Sequence, residues 1–275
     1  MEEATLSHLF NTFYKREIDV FFDESGKEKD RPNLLGALSI PKRIYESDDI
    51  QYLNYFLRKK VVKFHWKTYN GNPYAKENIL NLIDVFVLHK EFIKLNIINY
   101  HYGYLKGQEL FSKTDRDATI YSKLPERLIY GLIRGYGSEM NISSSIYIDK
   151  STEYEALKLD ETLVSTLNSH SLYRGEKFYA KECNMYPKNQ EIGLELTDLL
   201  LGIIRTIIKN PIIKDTTSKI EKEKVGLTIE LINKNDRFKE ILSNIKYYEW
   251  RGNKELNAVN FSDYISAFII EQNYN

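Results

Sequence analysis

Short apolar, β-branched runs alternate with stretches of helical period along this chain. That alternation predicts an α/β sheet covered by helices on its faces. Glu17 to Asp23 is a strand-length apolar run that ends on an acid and passes into Ser25-Gly26. Asn33 to Ile40, closed by Pro41, is a second such run, and the two predict a hairpin. Helices are expected from Ser47 to about Val62 and from Pro73 to about Lys90, and a strand over Ile93 to Tyr102. A further helix is expected over Ala118 to Tyr136, kinked or broken at Pro125. Ile142 to Asp149 reads as a strand that again stops on an acid. A helix from about Glu153 to Leu167, a strand near Lys177 to Cys183 and a long helix from Glu191 to Lys209 follow. The remainder reads as helices, closing on the amphipathic Phe261 to Gln272.

With 275 residues, of which 42% are hydrophobic and 28% charged, the chain can fill a real core, which excludes disorder as a description of the whole. No Pro-, Gly- or Ser-rich linker divides it. Lys and Arg total 39 and so do Asp and Glu, so there is no general basic coat, and any contact with nucleic acid has to come from a local patch. Cys183 stands alone and the five histidines lack metal-ligand spacing, which argues against a disulfide framework or a zinc cage. Met1 to Val20 is studded with charge and lacks a signal-peptide core. The most apolar run, Leu199 to Ile208, is too short to span a bilayer and is interrupted by Arg205. A cytoplasmic protein without membrane contact is the expectation.

Acids recur where chemistry can use them. Asp23 and Asp149 end strands, and ligand sites in open α/β sheets gather at such ends. In the helix Glu191-Ile-Gly-Leu-Glu195-Leu-Thr-Asp198, spacings of four and three put Glu191, Glu195 and Asp198 on one face. Leu196, Leu199, Leu200, Ile203 and Ile204 take the opposite side. Like charges this close cost a few tenths of a kcal/mol, roughly, unless a cation binds between them. Mg²⁺ prefers such oxygen ligands, and carboxylates from two strand ends and a helix can clamp two ions about 3.5–4 Å apart for in-line attack on phosphorus. The plainer alternative is a turn-forming Asp-Glu-Ser-Gly and a solvated acidic helix face. Asp23, Asp149 and Asp198 rise above it as a set; Glu24, Glu191 and Lys150 stay nearer to it.

Positive charge concentrates in Arg58-Lys59-Lys60-Val-Val-Lys63-Phe64-His65-Trp66-Lys67. Phe64 and Trp66 can stack on bases, Lys63 and Lys67 can approach phosphates, and His65 can shuttle a proton. The alternative is a cation-favoured helix end followed by a packed tryptophan. Lys150, beside Asp149, is a further candidate phosphate contact.

Phe21-Phe22-Asp23-Glu24-Ser25-Gly26, Ile148-Asp149-Lys150-Ser151 and Gly193-Leu194-Glu195-Leu196-Thr197-Asp198-Leu199-Leu200 resemble, in order, the motifs of a bacterial and phage domain-of-unknown-function family. Its signature is an N-terminal Asp-Glu-Ser-Gly and its fold is assigned as ribonuclease H-like. The resemblance covers roughly residues 17–209. It implies a mixed central sheet flanked by helices, with Asp23, Asp149 and Asp198 as ligands to Mg²⁺ or Mn²⁺ and Glu195 assisting. Glu195 stands where the family often carries Gln, Thr197 where it carries Ala, and Lys63 near where it places a Glu. The whole chain, 1–275, is expected as one ribonuclease H-like domain with a helical extension over about 210–275.

The function expected from these readings is a metal-dependent nuclease acting on nucleic acid, DNA or RNA, with His65, Lys67 and Lys150 as substrate contacts. An alternative is a non-catalytic binding module on the same fold. The apolar stripe Tyr264, Ile265, Phe268 and Ile269 would then serve a protein partner or self-association, or else pack into the core. Aspartyl phosphotransfer of the haloacid dehalogenase type is disfavoured, because it wants a second Asp where Ser25 stands.

Overall fold

The structure, a computed structural model, describes residues 15–27, 30–106 and 110–274. The charged N-terminal stretch read as lacking a signal core lies outside the described residues up to position 14. Seven strands form one mixed sheet: β1 (Lys15–Ser25), β2 (Asn33–Pro41), β3 (Lys94–Tyr100), β4 (Asn141–Asp149), β5 (Phe178–Tyr186), β6 (Lys246–Trp250) and β7 (Leu256–Val259). Their order across the sheet is β5-β4-β1-β2-β3-β6-β7. β1, β2 and β3 pair antiparallel in sequence, β4 and β5 run parallel to β1, and β6 runs parallel to β3. The expected mixed α/β architecture is present.

Strand periodicity splits the core in two. Phe21, Leu34, Leu38 and Ile97 face one side, while Val20, Phe22, Leu35 and Ile98 face the other. The first face is covered by α1 (Asp48–Arg58), α2 (Pro73–Val87), α5 (Ile192–Lys209), α6 (Lys219–Lys234), α7 (Asp236–Ser243) and α8 (Phe261–Tyr274). The second is covered by α3 (Leu124–Arg134) and α4 (Leu159–Tyr173). Helices on both faces bury the central strands completely, so those strands read as continuous apolar runs.

Three expectations change. The closing region, read as helical, also contributes β6 and β7 to the sheet beyond β3. The helix expected over 118–136 begins at Lys113 and passes through a π-helical stretch, Thr119–Lys123, before α3. Pro125 lacks an N–H to donate back to this turn, which the wider winding absorbs. The apolar stripe of α8 is core: Ile265 and Phe268 are buried, and Tyr264 and Ile269 pack against the same cluster. None of the described helices is long and apolar enough to cross a membrane.

Candidate functional site

Parallel pairing of β1 with β4 brings their C-terminal ends to the same edge of the sheet. The register sets Phe22 beside Ile148, so Asp23 and Asp149 follow as neighbours. α5 crosses the same end. Gly193 lies against the Phe21 ring, where a Cβ would come within 2.5 Å, and Gly202 lies against Trp66 with less room still. The helix therefore sits close to the sheet because side chains are missing at its contact points. Its first turn is fixed by the Ile192 N–H, which donates to Asn54 Oδ1 of α1 at 2.7 Å.

The three acids expected on one face of this helix divide. Glu191 precedes the helix and turns toward α1, accepting from Tyr45 Oη at 2.7 Å and pairing with Arg58 at 2.5 Å. Glu195 and Asp198 stay at the sheet edge. The supposed opposite face is not distinct, because α5 is wedged between sheet and outer helices and is buried on nearly every side.

At the centre of the acids stands a residue that carried no signal in the sequence, Lys188. It belongs to the turn Pro187-Lys188-Asn189-Gln190 that joins β5 to α5. Lys188 Nζ lies 3.0 Å from Asp23 Oδ2, 3.0 Å from Asp149 Oδ2 and 3.9 Å from Asp198 Oδ1. Asn189 takes a left-handed conformation with φ 66°, which asparagine tolerates, and its N–H donates to Glu195 Oε1 at 2.6 Å. The other oxygen, Glu195 Oε2, is buried, lies 3.3 Å from His65 Nδ1 and has no hydrogen-bond partner among the described residues. Asp149 Oδ1 is likewise buried and unpartnered there, whereas Asp23 Oδ1 accepts from the Glu24 N–H at 2.7 Å.

Electrostatics follow from burial. Asp23 is 2% exposed, and loss of water raises its carboxyl well above the usual range; Lys188 pulls it down, while Asp149 and Asp198 push it further up. Burial raises Asp149 too, against the pull of Lys188, and raises Glu195 against the Asn189 N–H and His65. For Lys188, burial opposes the ammonium, but Asp23, Asp198 and Asp149 outweigh it and hold the amine above its ordinary value.

Among the described residues, no group of three or more His, Cys, Asp or Glu side chains is set to hold a metal ion as it stands. The reason is one of radius. Carboxylates drawn to an ammonium at hydrogen-bond length sit about 1 Å farther from the centre than the 2.0–2.1 Å of a Mg²⁺ ligand. The donor chemistry nevertheless suits a hard cation: carboxylate oxygens converge on a positive charge, and Glu195 Oε2 and Asp149 Oδ1 remain unused.

A cleft of about 630 Å³ opens beside the acids, with Asp198, Lys67, Arg205, Lys209 and Lys224 in its walls. Arg205 and Lys209 share Asp30 at 2.7 and 3.2 Å. Burial, then the repulsion of Arg205 and Lys209, lowers the Lys224 amine. The chain matches no family model and no curated protein. Its site must therefore be read from its own residues.

The structure brings Asp23, Asp149, Asp198, Glu195 and His65 together and sets Lys67 on the cleft wall. Lys150 lies apart from the cleft walls, its ammonium 2.8 Å from Glu155. Glu24 leaves the opposite side of β1 from Asp23, accepts from Tyr154 Oη at 3.2 Å and pairs with Lys27 at 2.9 Å. The aromatic rings expected to stack on bases are buried, although Trp66 contributes to the cleft wall. Phe64 is 1% exposed, and Trp66 is 6% exposed, packed on Tyr69 and Gly202. Arg205, Lys209 and Lys224 were not singled out by sequence, although the spacing of four between Arg205 and Lys209 on one helix was a usable signal.

Proposed function

We propose that this chain is a divalent-metal-dependent nuclease that hydrolyses phosphodiester bonds of DNA or RNA on a ribonuclease H-like sheet. The observation that carries this reading is the convergence of Asp23, Asp149 and Asp198 on one cationic position at the C-terminal edge of parallel strands, with Glu195 held beside them by the Asn189 N–H. Asp23, Asp149 and Asp198 would hold Mg²⁺ or Mn²⁺, with Glu195 assisting. A cation bound there supplies an activated water and charge stabilisation at phosphorus. His65, its Nδ1 3.3 Å from Glu195 Oε2, would be the nearby group to accept a proton. Lys67 and Lys224 on the cleft wall meet the phosphates that flank the scissile bond. The Asp-Glu-Ser-Gly resemblance and the mixed sheet flanked by helices support the fold assignment.

Titration calorimetry of Mn²⁺ into wild type and the Asp23→Asn/Asp198→Asn double variant tests the assignment, alongside cleavage of labelled DNA and RNA. Binding and cleavage are expected in wild type and neither in the variant. Full metal-dependent cleavage by the variant refutes the assignment. The ammonium at the centre of the acids favours a second reading, a non-catalytic binding module, in which Lys188 replaces a metal for good.

A further inference from the structure

Carboxylates gathered in a low-dielectric site need a compensating charge, and this chain supplies one of its own. Lys188 approaches Asp23, Asp149 and Asp198 together at 3.0, 3.0 and 3.9 Å. The ammonium donates to Asp23 Oδ2, lies equally close to Asp149 Oδ2, and reaches Asp198 only as a longer ion pair. It leaves two buried carboxylate oxygens of the cluster, Glu195 Oε2 and Asp149 Oδ1, without a hydrogen bond. Three carboxylates thus face one positive charge, with Glu195 beside them on the same helix as Asp198. Lys188 therefore leaves carboxylate oxygens unpartnered, and a divalent cation, which takes six or more oxygen ligands, has use for them.

The two cations exclude each other. Asp23 Oδ2 and Asp149 Oδ2 each lie 3.0 Å from the Lys188 ammonium, so a cation held by these carboxylates would compete with it for them. Lys188 also has a way out: its side chain is 35% exposed, it lies in a turn, and its stem has four flexible carbons.

We propose that Lys188 is a tethered counter-cation that closes the acid cluster to divalent metal and is displaced from it when metal binds. This rests on the metal-binding reading above and adds to it the element that sets metal affinity.

Calorimetric Mn²⁺ titrations of wild type, Lys188→Gln and Lys188→Arg test it, with circular dichroism to verify folding. Lys188→Gln is expected to bind Mn²⁺ at least tenfold more tightly than wild type, and Lys188→Arg, which keeps the charge, no more tightly than wild type. Equal affinity in wild type and Lys188→Gln overturns the displacement while leaving the metal site intact, and so does weaker binding by a folded Lys188→Gln. Absence of Mn²⁺ binding in both folded proteins removes the metal site and this proposal with it. A second measurement uses wild type alone: lysine-selective acylation, read by mass spectrometry, is expected to increase at Lys188 when Mn²⁺ saturates the protein. Unchanged labelling at saturation overturns the proposal.

Discussion

Asp19 is a buried acid outside the acid cluster at the sheet edge, and replacing it with Asn has a calculable effect on stability. It lies in the middle of β1, paired with Ile40 on one side and Ser145 on the other, and is 2% exposed. Burial raises its carboxyl from 3.8 to about 7; Lys42 opposes this, and Glu46, Glu191 and Glu17 add to it. Because the folded value lies above the unfolded one, the folded state holds the proton more tightly. Below pH 3.8 both states are protonated and Asp19 costs nothing. Between 3.8 and about 7 the unfolded chain ionises first, so stability falls as pH rises, and above 7 the full cost remains. At about 1.4 kcal/mol per pH unit that cost is at most about 4 kcal/mol, and about 2–4 kcal/mol is expected after local relaxation. Asp19→Asn should therefore match wild type near pH 4 and exceed it by this amount at pH 8. Urea unfolding followed by the fluorescence of the buried Trp66 and Trp250 at several pH values measures the difference. The other titrating groups are common to both proteins and cancel in that difference. A gain that does not depend on pH, or a loss of stability at pH 8, refutes the reasoning.

Two further outcomes are expected. Gly202→Ala drives a methyl into the Trp66 ring and should cost about 1–3 kcal/mol in denaturant unfolding, part of it recovered when combined with Trp66→Leu. Should the sequence-independent grip on nucleic acid come from the cleft lysines, Lys67→Ala and Lys224→Ala will each reduce the slope of log affinity against log salt by about 1 in a fluorescence-anisotropy titration.

What could be read from the sequence was local. Asp23 and Asp149 stood out because a short apolar run that stops on an acid is visible in a few residues, and the sheet order then sets the two side by side. Glu195 and Asp198 were legible from helical spacing, but Glu191 was misplaced with them, because its partner Arg58 is 133 residues away. Lys188 was invisible for the same kind of reason: Pro-Lys-Asn reads as an exposed turn until three strand and helix ends close around it. Trp66 and Phe64 carry the composition of a base-stacking segment, and only the missing Cβ of Gly202 reveals that Trp66 belongs to the interior. β6 escaped notice because five residues that alternate between the two cores are hard to tell from the helical period on either side.

That late strand has a consequence for how the protein is made. The acids, Lys188 and the cleft-lining end of α5 have all been synthesised by Lys209, whereas the strand that covers β3 begins only at Lys246, 246 − 209 = 37 residues later. At about 5–20 residues per second, a ribosome takes roughly 2–7 s to cover that distance. A sheet formed from β1 to β5 before β6 is added ends on a bare β3 edge, an open template for pairing with another strand. Any such exposure of the β3 edge therefore falls after the acid cluster has been encoded and before the sheet is finished.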